Sequence, residues 1–507
     1  MISDELGALI RGNFAHEPTK EQEMVVCKWE EFLLSRNANS LFLLKGYAGT
    51  GKTSLVAALV KTLLQLKQSV MLLAPTGRAA KVFSSYAETP AYTIHKRIYR
   101  QKSIIDMDDF QTNINLHKHT LFIVDEASMI SNEGLSGSMF GTGRLLDDLM
   151  QFVYSCEGCR LILVGDTAQL PPVGEEESPA LSRYVLEGYD VDVTEVHLTE
   201  VVRQEQESGI LWNATRLRQL MQDELYYDFP RLRIDFPDVC VTPGDELIDA
   251  LENSYQRCGT DQTIVVTRSN KRANIFNNGI RARILDYEDE LSGNDLVMVA
   301  KNNYYWTEQE LSIQNSKFKN QSSQLSTANS EGDSQCSGNV QCSMAFIANG
   351  DVAVVRRFRN ERQLYGFRFA DATLRFPDYD NLEMDVTVLL DTLQSEAPAL
   401  TRQQQEQLFN AVWEDYPEIR DKRERMKRLR QDPYYNALQI KYAYAVTCHK
   451  AQGGQWQHVY IDQGYITEDM LSPDYFRWLY TALTRATEKV FLVNWPKEQI
   501  ETLDDRL

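Results

Sequence analysis

Apolar residues in the first half of the chain form short continuous runs that alternate with amphipathic stretches. Four of these runs are typical of strands buried on both faces of a parallel sheet: 41–44, 69–74, 121–124 and 161–164. Helical patterns at 53–66 and 78–84 lie between the first strands. This strand–helix–strand succession predicts a doubly wound α/β core.

The same alternation returns later in the chain. A run at 263–267 precedes a helical pattern at 271–285, and further runs follow at 443–447, 459–461 and 490–493. The sequence therefore predicts two α/β domains. The first covers 1–195, and the second is divided into 196–288 and 441–507.

Three stretches interrupt the α/β pattern. Segments 97–105 and 110–116 flank the polar tip 106–109 and predict a β-hairpin insertion at 97–117. Short alternating strands predict a small β-barrel insertion at 289–440. Within it, 307–343 is rich in Ser, Gln and Asn and is predicted to be a mobile loop. A helical run at 401–430 ends in basic residues that could contact phosphates or form a solvated mixed-charge face.

Composition sets limits on this picture. The chain has 507 residues and is 43% hydrophobic, which is enough for several globular domains. Its net charge of −19 argues against a nucleic-acid partner, because such proteins usually carry a basic footprint. A channel between domains needs only local positive charge, however, so the net charge does not exclude that partner.

The chain shows no secretion signal and no apolar stretch long enough to span a membrane, so we expect a cytoplasmic protein without a membrane partner. Its eight cysteines are irregularly spaced, and Cys156 and Cys159 form the only close pair. This pattern favours free thiols over a zinc site.

The clearest chemical signal is Gly-Tyr-Ala-Gly-Thr-Gly-Lys-Thr at 46–53, directly after an apolar run. It matches the P-loop pattern, in which backbone N–H groups and a lysine hold phosphates and a Ser/Thr hydroxyl binds Mg²⁺. The sequence therefore predicts ATP and Mg²⁺ as ligands, with Thr53 on the metal. The predicted nucleotide contacts are Gly46, Ala48, Gly49, Thr50, Gly51, Lys52, Thr53 and Ser54.

Polar residues follow two other predicted strands. Asp125 and Glu126 suit Mg²⁺ coordination and water activation, respectively, although an acidic pair is also common where a helix begins. Gln169, in Gly-Asp-Thr-Ala-Gln-Leu-Pro-Pro, could contact a γ-phosphate, or the segment could simply be a turn.

Three further residues have both a structural and a functional interpretation. Arg203 and Arg485 could stabilise transition-state charge or form structural ion pairs. Gln22 could bind the edge of an adenine base, or it could form a capping box with Thr19 at the start of a helix.

Taken in order, these motifs resemble superfamily 1B helicases of the RecD-like, Dda-like and Pif-like group. The resemblance covers nearly the whole chain and rests on Gln22, 46–53, 74–80, 125–128, 165–172, Arg203, 445–453 and 480–486. It implies two RecA-like P-loop domains with ATP at their interface, arginines supplied by the second domain, and the barrel as an SH3-like insertion. Gly453 is then a further nucleotide contact. The resemblance also implies 5′→3′ translocation on single-stranded DNA.

The resemblance further implies a path for DNA across both domains and the barrel. Hydroxyl, amide and basic groups at strand ends could hold phosphates without reading sequence. The candidates are Pro75, Thr76, Thr93, His95, Asn303, Tyr304, Asn349, Thr447, His449 and Lys450. Tyr304, with Tyr305 and Trp306, could instead belong to the barrel core.

The leading hypothesis is a monomeric ATP-dependent DNA helicase that acts at single-strand/duplex junctions in repair, recombination or replication. One alternative is the motor subunit of an exonuclease complex, with repair or nuclease subunits as partners. Another is a nucleotide-dependent clamp that remodels nucleic acid without processive unwinding. RNA stays open as a substrate, because phosphate contacts distinguish the two sugars poorly.

Overall fold

A computed structural model describes residues 2–14, 16–101, 110–134, 141–201, 208–307, 309 and 346–501. The chain divides into two compact units. The first comprises Met1–Ile284 and Tyr444–Leu507, and the second comprises Leu285–Ala443. Within the described ranges, none of the helices combines the length and apolar composition needed to cross a lipid bilayer.

The first lobe of the first unit is a six-stranded parallel sheet flanked by helices. In chain order the strands up to residue 198 are β1 (Ser40–Gly46), β2 (Val70–Ala74), β3 (Ala91–Thr93), β4 (Tyr99–Gln101), β5 (Phe110–Thr112), β6 (Leu121–Val124), β7 (Arg160–Gly165) and β8 (Asp192–Leu198). The helices are α1 (Ile2–Asn13), α2 (Lys20–Leu34), α3 (Lys52–Gln65), α4 (Gly77–Ala87), α5 (Ile94–Ile98), α6 (Leu145–Tyr154) and α7 (Arg183–Glu187).

The strand order in this sheet is β3-β2-β6-β7-β1-β8. The interior strand β1 is buried on both faces, as its unbroken apolar run predicts. Trp29 of α2 packs on Phe42 of β1, with ring centroids 5.9 Å apart, and both side chains are inaccessible to solvent. Outside the sheet, β4 and β5 pair antiparallel. The predicted hairpin tip at 106–109 lies outside the described residues.

The remaining strands are β9 (Leu232–Arg233), β10 (Val239–Thr242), β11 (Thr263–Thr267), β12 (Leu296–Val299), β13 (Val352–Leu364), β14 (Phe367–Phe376), β15 (Leu382–Leu389), β16 (Leu438–Tyr442), β17 (Ala445–Thr447), β18 (Trp456–Asp462), β19 (Ala486–Val493) and β20 (Ile500–Glu501). The remaining helices are α8 (Gly209–Gln222), α9 (Leu247–Cys258), α10 (Asn270–Arg283), α11 (Arg402–Glu414), α12 (Lys422–Arg430), α13 (Cys448–Ala451) and α14 (Pro473–Leu483). The second lobe is a parallel sheet in the order β10-β19-β18-β11-β17.

The second unit contains a closed barrel of the five strands β12 to β16. Helices α11 and α12 pack with β14 around a separate apolar cluster that includes Phe369, Leu408 and Leu429. The unit's bounds differ by a few residues from the predicted insertion at 289–440. The predicted mobile loop at 307–343 lies outside the described residues, except for positions 307 and 309.

The predicted fold class is confirmed: two parallel α/β sheets, a β-hairpin and a barrel insertion. Some elements differ from the prediction. The helical run at 401–430 is two helices, because Pro417 lies between α11 and α12 and cannot donate a helical hydrogen bond. Residues 94–98 form α5, so the hairpin strand begins only at Tyr99. Strand β8 was not predicted, because this edge strand alternates buried and exposed residues.

One side-chain amide completes the edge of the second sheet. Strand β17 pairs with β11 on one side only. On α10, Asn277 donates from Nδ2 to the Ala445 carbonyl at 2.9 Å, and its Oδ1 accepts from the Ala445 N–H at 2.8 Å. Both residues are buried. Asn277 therefore substitutes for a neighbouring strand and holds the backbone that leads into residues 447–450.

We predict that Asn277→Ala lowers the free energy of unfolding by about 2–4 kcal/mol, because it leaves two buried backbone groups without this partner. Urea denaturation measures the change. Asn278→Ala is the matched control, since Asn278 is exposed on the same helix and should change stability by less than about 0.5 kcal/mol. Equal midpoints for the two variants would contradict this role.

Candidate nucleotide site and lobe interface

The loop between β1 and α3 has the backbone shape that phosphate binding requires. Gly49 and Gly51 have φ of 80° and 78°, in the left-handed region that glycine adopts without strain. The Thr50 hydroxyl donates to the Tyr47 carbonyl at 2.9 Å. Lys52 Nζ donates to the same carbonyl at 2.8 Å. Helix α3 begins at Lys52, so its N-terminus points into the loop, where an anion is stabilised.

Gln22 lies behind this loop, and its amide already has partners. Its Oε1 accepts from the Thr19 N–H at 2.9 Å and its own N–H donates to the Thr19 hydroxyl, so the capping box is formed. Its Nε2 donates to the Thr50 carbonyl at 3.0 Å. The side chain is only 1% exposed. The structure therefore realises the capping alternative, and the adenine role stays a prediction that would need this side chain to move.

Asp125 and Glu126 lie at the end of β6, two strands away from β1. Asp125 Oδ1 accepts from the Glu126 N–H at 2.8 Å, and Glu126 has a φ of 52°. Such a backbone conformation costs of order 1 kcal/mol outside glycine and is common at functional sites. Burial, with a smaller contribution from Glu126, raises the pKa of Asp125 above its ordinary value. A bound divalent cation would offset the burial and mutual repulsion of these two carboxylates, and Mg²⁺ prefers oxygen ligands. The pair of Asp125 and Glu126 therefore fits Mg²⁺.

A buried tyrosine of the second lobe contacts two loops of the first lobe, the P-loop and the loop that follows β7. The hydroxyl of Tyr480, on α14, accepts from the Ala48 N–H at 2.8 Å and donates to Asp166 Oδ2 at 2.7 Å. Asp166 Oδ1 accepts from the Ala168 N–H at 2.9 Å. Burial and the Asp166 carboxylate raise the pKa of Tyr480 well above its usual value, so the phenol keeps its proton.

Two more hydrogen bonds cross between the lobes next to this tyrosine. The Leu170 N–H donates to the Thr481 hydroxyl at 3.0 Å, and Gln452 Nε2 donates to the Leu170 carbonyl at 2.7 Å. All three residues are buried. Between them and Asp166 lies Gln169, which is also buried and whose Oε1 has no hydrogen-bond partner among the described residues. Its amide therefore keeps an acceptor available at the lobe interface.

Arg485 also lies at this interface. Its side chain is 5% exposed, and its Nη1 is 3.9 Å from Glu126 Oε1. Its Nε donates to the Thr481 carbonyl at 3.0 Å, and Nη1 donates to the Gly454 carbonyl at 3.3 Å. These bonds hold the guanidinium of the second lobe next to the acidic pair of the first. Arg203 lies outside the described residues.

Gly453 packs against the first lobe at the start of α4. Its φ is 71°, and a Cβ built on it would lie 2.9 Å from Ala79 Cβ and 3.3 Å from Thr76 Oγ1. Nearby, the Arg78 guanidinium lies 3.9 Å from the ring centroid of Trp456. Gly453 thus approaches the start of α4 closely, and its nucleotide contact stays a prediction.

Several predicted DNA contacts follow the carboxyl ends of strands in the two sheets. The Thr76 hydroxyl accepts from the Ala79 N–H, and the Thr93 hydroxyl accepts from the Lys96 N–H. Each hydroxyl thus caps the helix that follows and still has its own proton to donate. Pro75 lies between β2 and Thr76. Burial lowers the pKa of His95, which keeps this imidazole neutral. Thr447 makes no side-chain cap bond at the start of α13.

His449 and Lys450 follow Thr447 on α13. His449 is exposed, whereas Lys450 is half-buried. Burial lowers the pKa of Lys450 to about 8. No carboxylate in the described ranges lies within ion-pair distance of Lys450. Of the candidates on α13, this residue therefore offers a positive charge that none of the described carboxylates pairs with.

The barrel candidates are occupied by internal contacts. Asn303 Nδ2 donates to the Asn436 carbonyl at 2.8 Å. The ring of Tyr304 packs on Phe346, with centroids 4.7 Å apart, and Tyr305 is buried. These contacts favour the alternative that the aromatic residues belong to the barrel core. Asn349 is exposed, and its N–H donates to Asn302 Oδ1 at 2.6 Å.

Sequence reasoning missed the residues that join the lobes: Asp166, Gln452, Tyr480 and Thr481. The segments that contain them were recognised, but a hydroxyl or amide in a helix gives no sign of which distant backbone group it will meet. The nearest available signal was the pair of residues Tyr480 and Thr481, whose hydroxyls lie in the apolar second half of the helix.

Comparison with known families agrees with this arrangement. A family model described as an AAA domain matches residues 28–225, and one described as a UvrD-like helicase C-terminal domain matches 442–493. These models cover the P-loop lobe and the segments that carry Lys450 and Arg485. The resemblance to superfamily 1B helicases is confirmed.

Individual relatives match different shares of this chain. The uncharacterized protein R530 of Acanthamoeba polyphaga mimivirus is 23% identical over 93% of this chain and 98% of its own length. The ATP-dependent RecD2 DNA helicase of Deinococcus radiodurans is 33% identical over 26% of this chain, and the ATP-dependent DNA helicase RRM3 of Saccharomyces cerevisiae is 28% identical over 40%. The matched regions span only 16% and 28% of those two helicases.

Among solved structures, a Pif1 helicase from Bacteroides in complex with ADP-AlF3 and ssDNA aligns with 96% of this chain and 95% of its own. The identity is 14% and the TM-score is 0.43. A Pif1 helicase from Candida albicans aligns with 95% of each chain, at 15% identity and a TM-score of 0.41.

We predict that Tyr480→Phe loosens the contact between the lobes, because Ala48 and Asp166 lose their shared partner. Loss of one such bond, worth about 1–1.5 kcal/mol, corresponds to roughly tenfold faster exchange of the Ala48 amide. Hydrogen exchange followed by mass spectrometry on peptides spanning 46–54 and 166–170 measures this.

Tyr154→Phe is the matched control for this exchange measurement. It removes a 2.9 Å bond from a phenol to the Ser40 carbonyl within the first lobe. It should leave exchange at 166–170 unchanged. If both variants exchanged like the parent protein in these peptides, the Tyr480 bridge would not hold the lobes together in solution.

Proposed function

We propose that this chain is an ATP-dependent DNA helicase that moves 5′→3′ along single-stranded DNA and unwinds duplex ahead of it. The observation that carries the proposal is the contact of the second lobe with the first, through Tyr480 at Ala48 and Asp166 and through Arg485 near Glu126. A P-loop alone serves switches, kinases and motors. A P-loop lobe closed by a second α/β lobe suits a motor, because nucleotide turnover can then change the distance between the lobes.

In this proposal the nucleotide lies between the P-loop and the second lobe. Lys52 would leave the Tyr47 carbonyl to pair with the β and γ phosphates. Thr53 and Asp125 would hold Mg²⁺, which supplies charge neutralisation at the phosphates. Glu126 would orient and deprotonate the attacking water, and Arg485 would stabilise the charge that develops on the transferred phosphoryl group.

The contacts between the lobes suggest how ATP hydrolysis could be coupled to movement along the DNA. Tyr480 and Thr481 follow one another on α14, and they contact the P-loop and the 166–170 segment. Gln169 lies in that segment, and its side-chain NH2 group would donate to the γ-phosphate, because phosphate oxygens only accept hydrogen bonds. Gain or loss of that phosphate would therefore change the contacts of the same short segment to which the second lobe is hydrogen-bonded.

The proposed DNA path joins residues 75–76, 93–95 and 447–450. Its hydroxyls and N–H groups are suited to phosphates and not to base edges, so we expect little sequence preference. Lys450 provides the local positive charge, which is compatible with the net charge of −19.

The test is unwinding of matched duplexes that carry either a 5′ or a 3′ single-stranded tail. The parent protein should unwind the 5′-tailed duplex in the presence of ATP and Mg²⁺, with little activity on the 3′-tailed one. Lys52→Ala should reduce the rate of ATP hydrolysis by at least 10³-fold, because the lysine ammonium would no longer stabilise the negative charge of the phosphoryl group in the transition state. Lys61→Ala is the control, since Lys61 lies on the same helix and pairs with Glu88 on the surface.

Preference for the 3′-tailed substrate would refute the polarity. DNA-stimulated hydrolysis without unwinding of either duplex would favour a nucleotide-dependent clamp. ATP hydrolysis that survives in Lys52→Ala would refute the assignment of the nucleotide site.

We also predict that single-stranded DNA affinity falls as pH rises from 7 to 9.5. The free-state pKa of Lys450 is lowered to about 8, and pairing with a phosphate would raise it, so binding takes up a proton above pH 8. The expected loss is about tenfold, measured by fluorescence anisotropy at constant ionic strength. Lys450→Arg should bind without this pH dependence, because arginine stays charged. An identical pH profile for the two proteins would exclude Lys450 from the DNA path.

A further inference from the structure

Three potential metal ligands meet in the second lobe, and none of them takes part in the lobe contacts described above. Cys258 is the last residue of α9, His458 lies in β18 and Glu488 lies in β19. One ligand atom from each lies within 4.8 Å of those of the other two. We propose that Cys258, His458 and Glu488 bind a transition-metal ion of the zinc type, a site separate from the Mg²⁺ site of the proposed helicase.

A chain of hydrogen bonds determines which nitrogen of His458 carries the proton. The Tyr460 hydroxyl donates to the Ala250 carbonyl at 2.6 Å, so it can only accept from the Ser254 hydroxyl, 2.7 Å away. Ser254 has then used its single proton and must accept from His458 Nδ1, at 2.8 Å. In a neutral imidazole the lone pair is therefore on Nε2. Fixing one ring nitrogen through a partner in this way is typical of metal-binding histidines.

The second nitrogen of His458 has no such partner. The side chain is 3% exposed, and among the described residues Nε2 has no hydrogen-bond partner. A buried polar atom in this state costs of order 1–3 kcal/mol, and most are satisfied by protein or water. Here the atoms within reach are a thiol and a carboxylate, which are both ligands. A metal ion would satisfy all three groups at once.

The donor set identifies the class of ion. One sulfur, one nitrogen and one oxygen donor suit Zn²⁺ or Co²⁺ and do not suit Mg²⁺ or Ca²⁺, which prefer oxygen alone. With three protein ligands, water would complete a tetrahedron. Ligand atoms in such a site are roughly 3–4 Å apart, so the groups must approach slightly, and Glu488 is exposed enough to do so.

Two basic residues lie nearby and oppose a cation. Arg257 Nη2 is 3.5 Å from Glu488 Oε2, and Lys489 lies over Phe491. The pair of Arg257 and Glu488 is weak, because its side chains are 70% and 45% exposed. Solvent and salt screen both basic groups, while thiolate and carboxylate charges neutralise the ion directly. The basic neighbours therefore reduce the affinity without blocking the site.

Titration of the full-length protein with Co²⁺ tests the proposal. We expect one equivalent to produce a thiolate-to-cobalt charge-transfer band together with the visible bands of a tetrahedral ion, and Zn²⁺ to displace it. Cys258→Ser should abolish the charge-transfer band. Glu488→Gln, at an exposed position that leaves the fold intact, should weaken binding at least tenfold. Zn²⁺ should raise the thermal midpoint of the parent protein and not that of Glu488→Gln.

Two controls separate this site from others. Cys240→Ser removes a half-buried thiol on the neighbouring strand β10 and should keep the cobalt spectrum. Asp125→Asn removes the oxygen-donor site at the P-loop lobe and should keep it as well. Absence of a thiolate band in the parent protein, or a band that survives Cys258→Ser, would overturn the proposal.

Discussion

The arrangement of the first unit depends on one buried hydroxyl. Tyr480 accepts from the Ala48 N–H of the P-loop and donates to Asp166, which ends a neighbouring strand of the same sheet. Tyr480 is 1% exposed, and its hydroxyl, the Ala48 N–H and the Asp166 carboxylate are polar groups that need hydrogen-bond partners. If the lobes separated, water or a bound ligand would have to replace these contacts. Because those groups can be satisfied either by Tyr480 or by water and ligand, the contact is stable and also reversible.

Polar contacts of this kind suit a joint that must open and close. Leu170 bonds to Thr481 and Gln452, and Arg485 reaches towards Glu126, all between the same two lobes. An apolar interface of the same size would favour one position, since every opening would expose hydrocarbon to water. Hydrogen bonds exchange with water at small net cost, so their net contribution of about 1 kcal/mol each can be outweighed by a bound triphosphate.

The parts of the fold that sequence predicted are those in which burial is complete. Strands β1, β2, β6 and β7 are buried on both faces, and their apolar runs were recognisable. The edge strands β3 and β8 were missed because exposure breaks the run. Asn303 and Tyr304 are residue types that can contact DNA, and in the structure their side chains pack within the second unit, against Asn436 and Phe346. Side-chain chemistry alone does not tell whether an amide or phenol faces solvent or backbone.

The amino-acid sequence alone is enough to predict the P-loop, because its glycines and lysine act within eight consecutive residues and need only local backbone geometry. It also determined the order of the two α/β lobes, through the periodicity of apolar residues. Only the tertiary structure brought Tyr480 to Ala48, 432 residues away, and Arg485 to Glu126. It alone assembled Cys258, His458 and Glu488 from a helix and two strands. Such contacts depend on strand order and register, which place distant residues together without any fixed spacing along the chain.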